Sequence, residues 1–355
     1  MGYPQHKRFG LAVLSLIATV LPAQADVTVQ ESMSVNGGGL MGFANMSGKT
    51  TTQISGTRSR IETDVQMQSR LVRAFAGGPT AEITQLDSDK VYELNLKKKQ
   101  YTATSLAERR AQMEQALKKG EEAQQSKQEA ASPVDQSKCD WSPPKSEVKK
   151  TGEKASIAGF DAERLTITVT QSCKNRETGE VCDFGLALDQ WLAPKFDGGS
   201  ERQAFYQAYA EKMGFSTSAA PGFAQNAQAM FAGYKDLWAE LAKQSGSQKG
   251  YPVRSAFSLA IGGAQCSSQQ KQTAAGAPAQ EAMAAASELG AALGGMFGGK
   301  KKAAAAEPAP TAPALLVNGM PPLMTVSTEL LSLSRDALAP ALFEPPADFK
   351  RVDKN

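Results

Sequence analysis

The chain is 355 residues long, with 39 basic against 36 acidic side chains and a formal net charge of +3. That near balance argues against a nucleic-acid binder, which gathers a basic excess on one face. A single histidine, His6, serves the whole chain.

Lys7 and Arg8 follow it, an apolar run extends from Phe9 to Val20, and Leu21-Pro22-Ala23-Gln24-Ala25 closes the segment. A basic region, a short apolar region and an A-x-A site are the three parts of a secretory signal. The apolar run falls short of the roughly 20 residues that span a bilayer. Residues 1–25 are therefore expected to be a signal peptide cleaved after Ala25, delivering the chain to the periplasm without a transmembrane segment. Cysteine does not follow the cleavage site, which argues against a lipid-modified N-terminus. Cleavage removes Lys7 and Arg8, lowering the net charge by two, and discards His6. A mature chain without histidine excludes Ser-His-Asp and Cys-His nucleophiles and every histidine-based metal site. The expectation is a non-enzyme with no catalytic residue, no metal and no cofactor.

The first mature segment reads as β. Val27, Val29, Met33 and Val35 alternate with polar residues up to Gly37-Gly38-Gly39, and strands are expected at Thr50–Ile54, Arg58–Gln68, Glu82–Asp87, Lys90–Leu96 and Tyr101–Ser105. Strands of this length, parted by glycine or polar turns, suit an antiparallel meander with one apolar face. From Ala107 the pattern becomes helical, with Leu106, Met113 and Leu117 amid charged residues, fading into a polar linker that ends at Lys138.

A second β region begins near Lys149. Leu165, Ile167 and Val169 alternate on a strand over Arg164–Gln171, and Phe184–Ala193 reads as its partner. Ser200 is the expected N-cap of a helix reaching Gly214. A further helix over Gln225–Gln244 carries Phe231, Tyr234, Leu237, Trp238 and Leu241 at helical spacing. Strands then follow from Gly250 to Ile261 and from Met324 to Ser334, before a Pro-rich end. Residues 26–355 thus read as one domain, with the polar helix and linker at 107–138 and an Ala/Gly-rich low-complexity insertion at 267–313.

The four cysteines, Cys139, Cys173, Cys182 and Cys266, read in an exported chain as two disulfides, with three possible connectivities. Cys173 and Cys182 flank a polar stretch with a Thr178-Gly179 turn signal, so they are expected to pair across a hairpin and leave Cys139 with Cys266. A four-cysteine zinc site needs close C-x-x-C pairs, which are missing.

Other chemistry is weaker. Glu62 and Asp64 share one strand face, as paired acid–base carboxylates or calcium ligands do, but Arg58 and Arg60 share it too, as on a solvent face. Gly37–Gly39 lack the lysine and helix of a phosphate loop. Met33, Met41, Met46, Met67 and Met113 are spaced irregularly for a soft-metal set and read as core filling.

The order of several short motifs carries a resemblance. Gly56-x-Arg58-x-Arg60-x-Glu62 is followed by Asp89-Lys90-Val91-Tyr92-Glu93-Leu94 and Lys98-Lys99-Gln100-Tyr101. Ile157-Ala158-Gly159-Phe160-Asp161-Ala162-Glu163, Trp191-Leu192-Ala193 and Gly250-Tyr251-Pro252-Val253-Arg254 come next. Val326-Ser327-Thr328-Glu329-Leu330 and Leu342-Phe343-Glu344-Pro345-Pro346 complete the series. This chain resembles exported domains of unknown function that are similar to periplasmic lipoprotein-carrier proteins. The resemblance implies an α+β fold: a twisted antiparallel sheet curled into a half-open barrel, with helices on its concave face. It also implies that an acyl chain binds between sheet and helices, where Phe231, Tyr234 and Trp238 would line the seat. The expected function is a non-catalytic carrier for an apolar or lipid-like ligand. The alternative is an envelope structural or interaction protein without a small-molecule ligand.

Overall fold

Period-two alternation of apolar and polar residues sends successive side chains to opposite faces, and it recurs over most of the chain. A computed structural model describes residues 26–37, 45–68, 78–115, 138–214, 235–263, 266 and 316–353. Strands β1 (Val27–Gly37), β2 (Met46–Ser55), β3 (Arg58–Met67), β4 (Thr80–Gln85), β5 (Lys90–Asn95) and β6 (Gln100–Ser105) form an antiparallel meander. Helix α1 covers 106–115. After β7 (Cys139–Trp141), the strands β8 (Lys145–Ile157), β9 (Phe160–Asn175) and β10 (Val181–Ala193) lead into helices α2 (Gly199–Met213) and α3 (Lys235–Gly246). Strands β11 (Tyr251–Gly262) and β12 (Pro322–Ser334), a 3-10 turn at Pro340–Phe343 and β13 (Lys350–Arg351) complete the described chain.

These strands make one sheet of thirteen, in the order β13-β6-β5-β4-β3-β2-β1-β12-β11-β10-β9-β7, with β8 also paired to β9. This corrects the expected α+β half-open barrel with helices on a concave face. The structure is mostly β, and its single large sheet is open and mixed, because β13 runs parallel to β6. The physical reason lies in β1, which pairs with β2 on one side and β12 on the other and so fuses two meanders edge to edge. Alternation in a sequence discloses which residues share a face; it is silent about which strands are neighbours.

Register separates the two faces. On one face Ile167, Leu188, Phe257, Val326, Val35, Met46 and Met67 stand opposite one another in an unbroken apolar row through seven strands, from β9 to β3. Helix α3 buries Leu237, Trp238 and Leu241 on this face, beside Leu165, Ile167, Val169 and Leu186. Helix α2 buries Phe205 and Met213 among Val27, Val29, Ile54 and Val91. The outer face is polar at its centre. There Arg164, Trp191 and Arg254 lie side by side, with both guanidinium groups about 6 Å from the indole (6.0 and 5.8 Å). Asp189 accepts from Arg164 at 2.7 Å, and Glu329 accepts from Arg254 at 2.9 and 3.0 Å. Toward one end Phe343 covers Ile83 and Leu94 of that face. Toward the other, a turn at Val317–Met320 packs on Ala187 and Ala260. Gly185 makes room for it, since a Cβ there would overlap the Val317 side chain.

Edge strand β8 carries Lys145, Lys149, Lys150 and Lys154, a charge density that disfavours pairing with another chain. Arg60 pairs with Glu62 at 3.2 Å on the outer face, whereas Arg58 reaches Asp87 at 2.8 Å. Among the described residues no group of three or more carboxylates, cysteines or histidines is placed to hold a metal. Met33, Met46 and Met67 pack together and Met113 packs beneath α2, while Met41 lies outside the described residues.

Both disulfides differ from the expected pairing. Cys139 bonds Cys173 and Cys182 bonds Cys266, with Cα separations of 5.2 and 5.3 Å. Cys173 and Cys182 do stand opposite each other in the β9–β10 ladder. Each nevertheless has a second cysteine beside it that the turn signal could not disclose. Cys139 on β7 sits diagonally across β9 from Cys173, and Cys266 lies four residues beyond the end of β11. The observed bonds close loops of 34 and 84 residues rather than one short hairpin, so each removes more entropy from the unfolded chain. These disulfides are compatible with export, and no described helix is long and apolar enough to cross a membrane. Residues 1–25, most of the 107–138 linker and the 267–313 insertion lie outside the described residues.

Non-reducing peptide mapping is expected to recover Cys139–Cys173 and Cys182–Cys266 peptides and no Cys173–Cys182 peptide. Cys182→Ser should lower stability by about 2–4 kcal/mol in urea denaturation. Gly185→Val should destabilise the chain by displacing the Val317 turn, read as a lower thermal midpoint.

Candidate functional site

Helix α2 places Arg202, Phe205, Tyr206, Tyr209 and Met213 at i, i+3, i+4, i+7 and i+11, the spacing of one helical stripe. Its N-cap is Gly198, not Ser200, whose hydroxyl instead donates to Glu201 at 2.8 Å. Glu201 in turn accepts from Arg335 at 2.6 Å, which pins the start of the helix to the segment after β12. The stripe therefore lies on the sheet with two arginine systems beside it.

The first is closed. Arg109 of α1 donates to Glu82 on β4 at 3.0 Å and to Glu93 on β5, adjacent carboxylates on the helical face. Two carboxylates hold this guanidinium, so it clamps α1 to the sheet. The second is open. Arg202 donates to the Tyr251 hydroxyl, lies over that ring at 5.4 Å, and meets the Glu31 carboxylate only at 3.8 Å. Its remaining N–H groups meet no acceptor among the described residues. Tyr251 also stacks on Phe196 at 3.6 Å, with Phe160 tilted against Phe196 at 5.2 Å.

The phenols around Arg202 stay neutral. Burial pushes Tyr206 and Tyr251 upward against the pull of the nearby guanidinium, and it pushes Tyr209 up to about 12. Among the described residues Glu31 is thus the one carboxylate within salt-bridge reach of Arg202. A cleft of about 440 Å³ opens here, lined by Pro194, Phe196, Arg202, Tyr206, Gly250 and Tyr251.

Glu31, which approaches Arg202 at 3.8 Å, is followed on the helical face of β1 by Met33 and Val35, each a step of about 7 Å along the strand. Val35, Met46, Val65, Met324 and Val326 are buried in the row, while Met33 is half-buried and Thr328, its cross-strand partner, is exposed. A second groove, about 910 Å³, lies where β8 bulges away from β9 between Lys150 and Lys154. Its walls mix Ala155, Ala162, Leu165 and Leu192 with charges that are partly self-paired: Lys154 meets Glu163, and Arg164 meets Glu153, each at 3.0 Å.

Of the three residues expected to line a ligand seat, Trp238 is buried in the core and stacks on Phe257 with centroids 5.4 Å apart. Its indole N–H is buried without an acceptor. Phe231 and Tyr234 lie outside the described residues. Sequence reasoning missed Arg202, Tyr206, Tyr251 and Glu31. The i, i+4 spacing of Arg202 and Tyr206 was a usable signal, since an arginine in line with aromatic residues must face the sheet. No protein-family model matches the chain, and no curated protein matches it.

The Tyr209 phenol titrates near 10.0 when unperturbed and near 12 in the fold, so the folded chain holds this proton more tightly. Its contribution to stability is complete below pH 10 and is lost as the pH rises toward 12. Ultraviolet titration should show at least one tyrosine ionising about two units later than the rest, with thermal stability falling across the same window.

Proposed function

We propose that this chain, exported to the periplasm, is a non-catalytic binding or carrier protein for an apolar, lipid-like ligand. The observation that carries the reading is the end of the apolar row, where Met33 and Met67 stay half-buried beside the buried Val35, Met46 and Val65. Methionine is unbranched and polarisable, so a methionine-rich floor adapts to ligands of varied shape. Transfer of an acyl chain onto it is driven by the hydrophobic effect, at about 0.8 kcal/mol per buried methylene. The four cysteines are consumed in disulfides, and the tyrosines near Arg202 are held in their neutral form. Such groups suit holding a ligand better than reacting with one.

Solvent extraction of the purified chain followed by mass spectrometry should release a lipid-like molecule, and the stripped protein should bind the neutral probe Nile red. Met33→Asp, which places a carboxylate on the half-buried patch, should reduce probe binding at least tenfold while circular dichroism shows the fold retained. An empty extract together with no probe binding would overturn the reading and favour a protein–protein role in the envelope.

A further inference from the structure

We infer that Arg202 anchors an anionic head group, so that the ligand is an anionic amphiphile whose carboxylate or phosphate enters the Tyr251 cleft. The inference rests on the apolar-ligand reading above and adds the chemistry of the ligand's polar end.

The arginines around the sheet differ in their partners. Arg109 reaches two carboxylates, Arg164 reaches Asp189 and Glu153, and Arg254 makes a two-pronged contact with Glu329. Each has a carboxylate in hydrogen-bonding contact. Arg202 has one neutral hydroxyl in hydrogen-bonding contact and one carboxylate beyond hydrogen-bond distance. Its side chain is 17% exposed. A guanidinium whose nearest carboxylate lies beyond hydrogen-bond distance can take a further anion, and a carboxylate or phosphate accepting two parallel N–H bonds matches its fork.

The surroundings fit such a head. The cleft beside the guanidinium is about 440 Å³, enough for a head group and the first carbons of a chain. The Phe196–Tyr251 stack forms one apolar wall, and Tyr206 stands on the helix beside Arg202. From Glu31 the helical face of β1 steps to the half-buried Met33, the direction a tail anchored at Arg202 would take toward the methionine patch. Charge at one end and hydrocarbon floor at the other define an amphiphile.

Calorimetry with the full chain tests this, using oleate, a lysophosphatidic acid of the same chain length, and neutral monoolein. Oleate or the phosphate lipid should bind at least tenfold more tightly than monoolein, and the stronger of the two identifies the head group. Arg202→Gln should abolish that preference, so that anionic and neutral lipids bind the variant equally, and Arg202→Lys should retain part of it. Circular dichroism confirms that each variant is folded, and the Lys variant alone decides the matter if the Gln variant does not fold. Equal binding of charged and neutral lipids, or a preference that survives the loss of Arg202, overturns the anchor while sparing the apolar seat. If no lipid binds, the apolar reading falls by itself. The anchor then stands only if inorganic phosphate raises the thermal midpoint of the parent chain and not that of Arg202→Gln.

Discussion

The ladder between β1 and β12 is the constraint on which the rest of the structure depends. It runs from Thr28 opposite Ser334 to Gly37 opposite Met324, joining the first and last long strands of the described chain. Without it the β1–β6 meander and the β7–β11 strands would be separate sheets, each with exposed edges. With it, the apolar row crosses from Phe257 and Val326 into Val35 and Met46 without a break. The site inherits this junction, because Glu31 and Met33 belong to β1 while Tyr251 belongs to β11 and Arg202 to the helix that follows β10. A cleft made this way exists only once strands about 300 residues apart have paired, a long-range contact that is slow to form.

The two faces of the sheet solve the problem of charge differently. Outside, Arg164, Trp191 and Arg254 form a ladder in which each guanidinium has a carboxylate and shares an aromatic neighbour. These contacts are half-buried and complete, so they secure register and leave little to offer a ligand. On the helical face, Arg109 is equally complete, tying α1 across β4 and β5. Arg202 stands apart because its partner Tyr251 is neutral and Glu31 keeps its distance. A carboxylate held beyond hydrogen-bond distance, where Arg109, Arg164 and Arg254 each have one in contact, is how this cleft differs from the scaffold around it.

Much of the fold was legible in the sequence, and the limits have physical causes. The meander from Val27 to Ser105 follows from alternation and turn residues, and each expected strand there lies within a few residues of an observed one. Asp89 and Lys99 take left-handed backbone in two of its turns, which a side-chain pattern does not display. The curled barrel was not legible because closure depends on which edges meet, and here β13 and β7 end the sheet apart. The disulfide pairing failed for a related reason. Loop length between Cys173 and Cys182 measures separation along the chain, while bonding depends on the strand that arrives on the far side of β9.

Trp238 and Arg202 mark the two halves of the site problem. An aromatic at helical spacing is a safe guess for burial, and Trp238 is buried on Phe257 as hydrophobicity requires. That same certainty makes it uninformative about ligands, because a core and a lipid seat ask for the same side chains. An arginine on an apolar helical stripe carries the opposite information: nothing in the packing of α2 requires a cation between the sheet and Phe205. Among the described residues its partners there are a phenol and a carboxylate at 3.8 Å. A polar group placed where packing alone would exclude it therefore says more about function than the apolar surface around it.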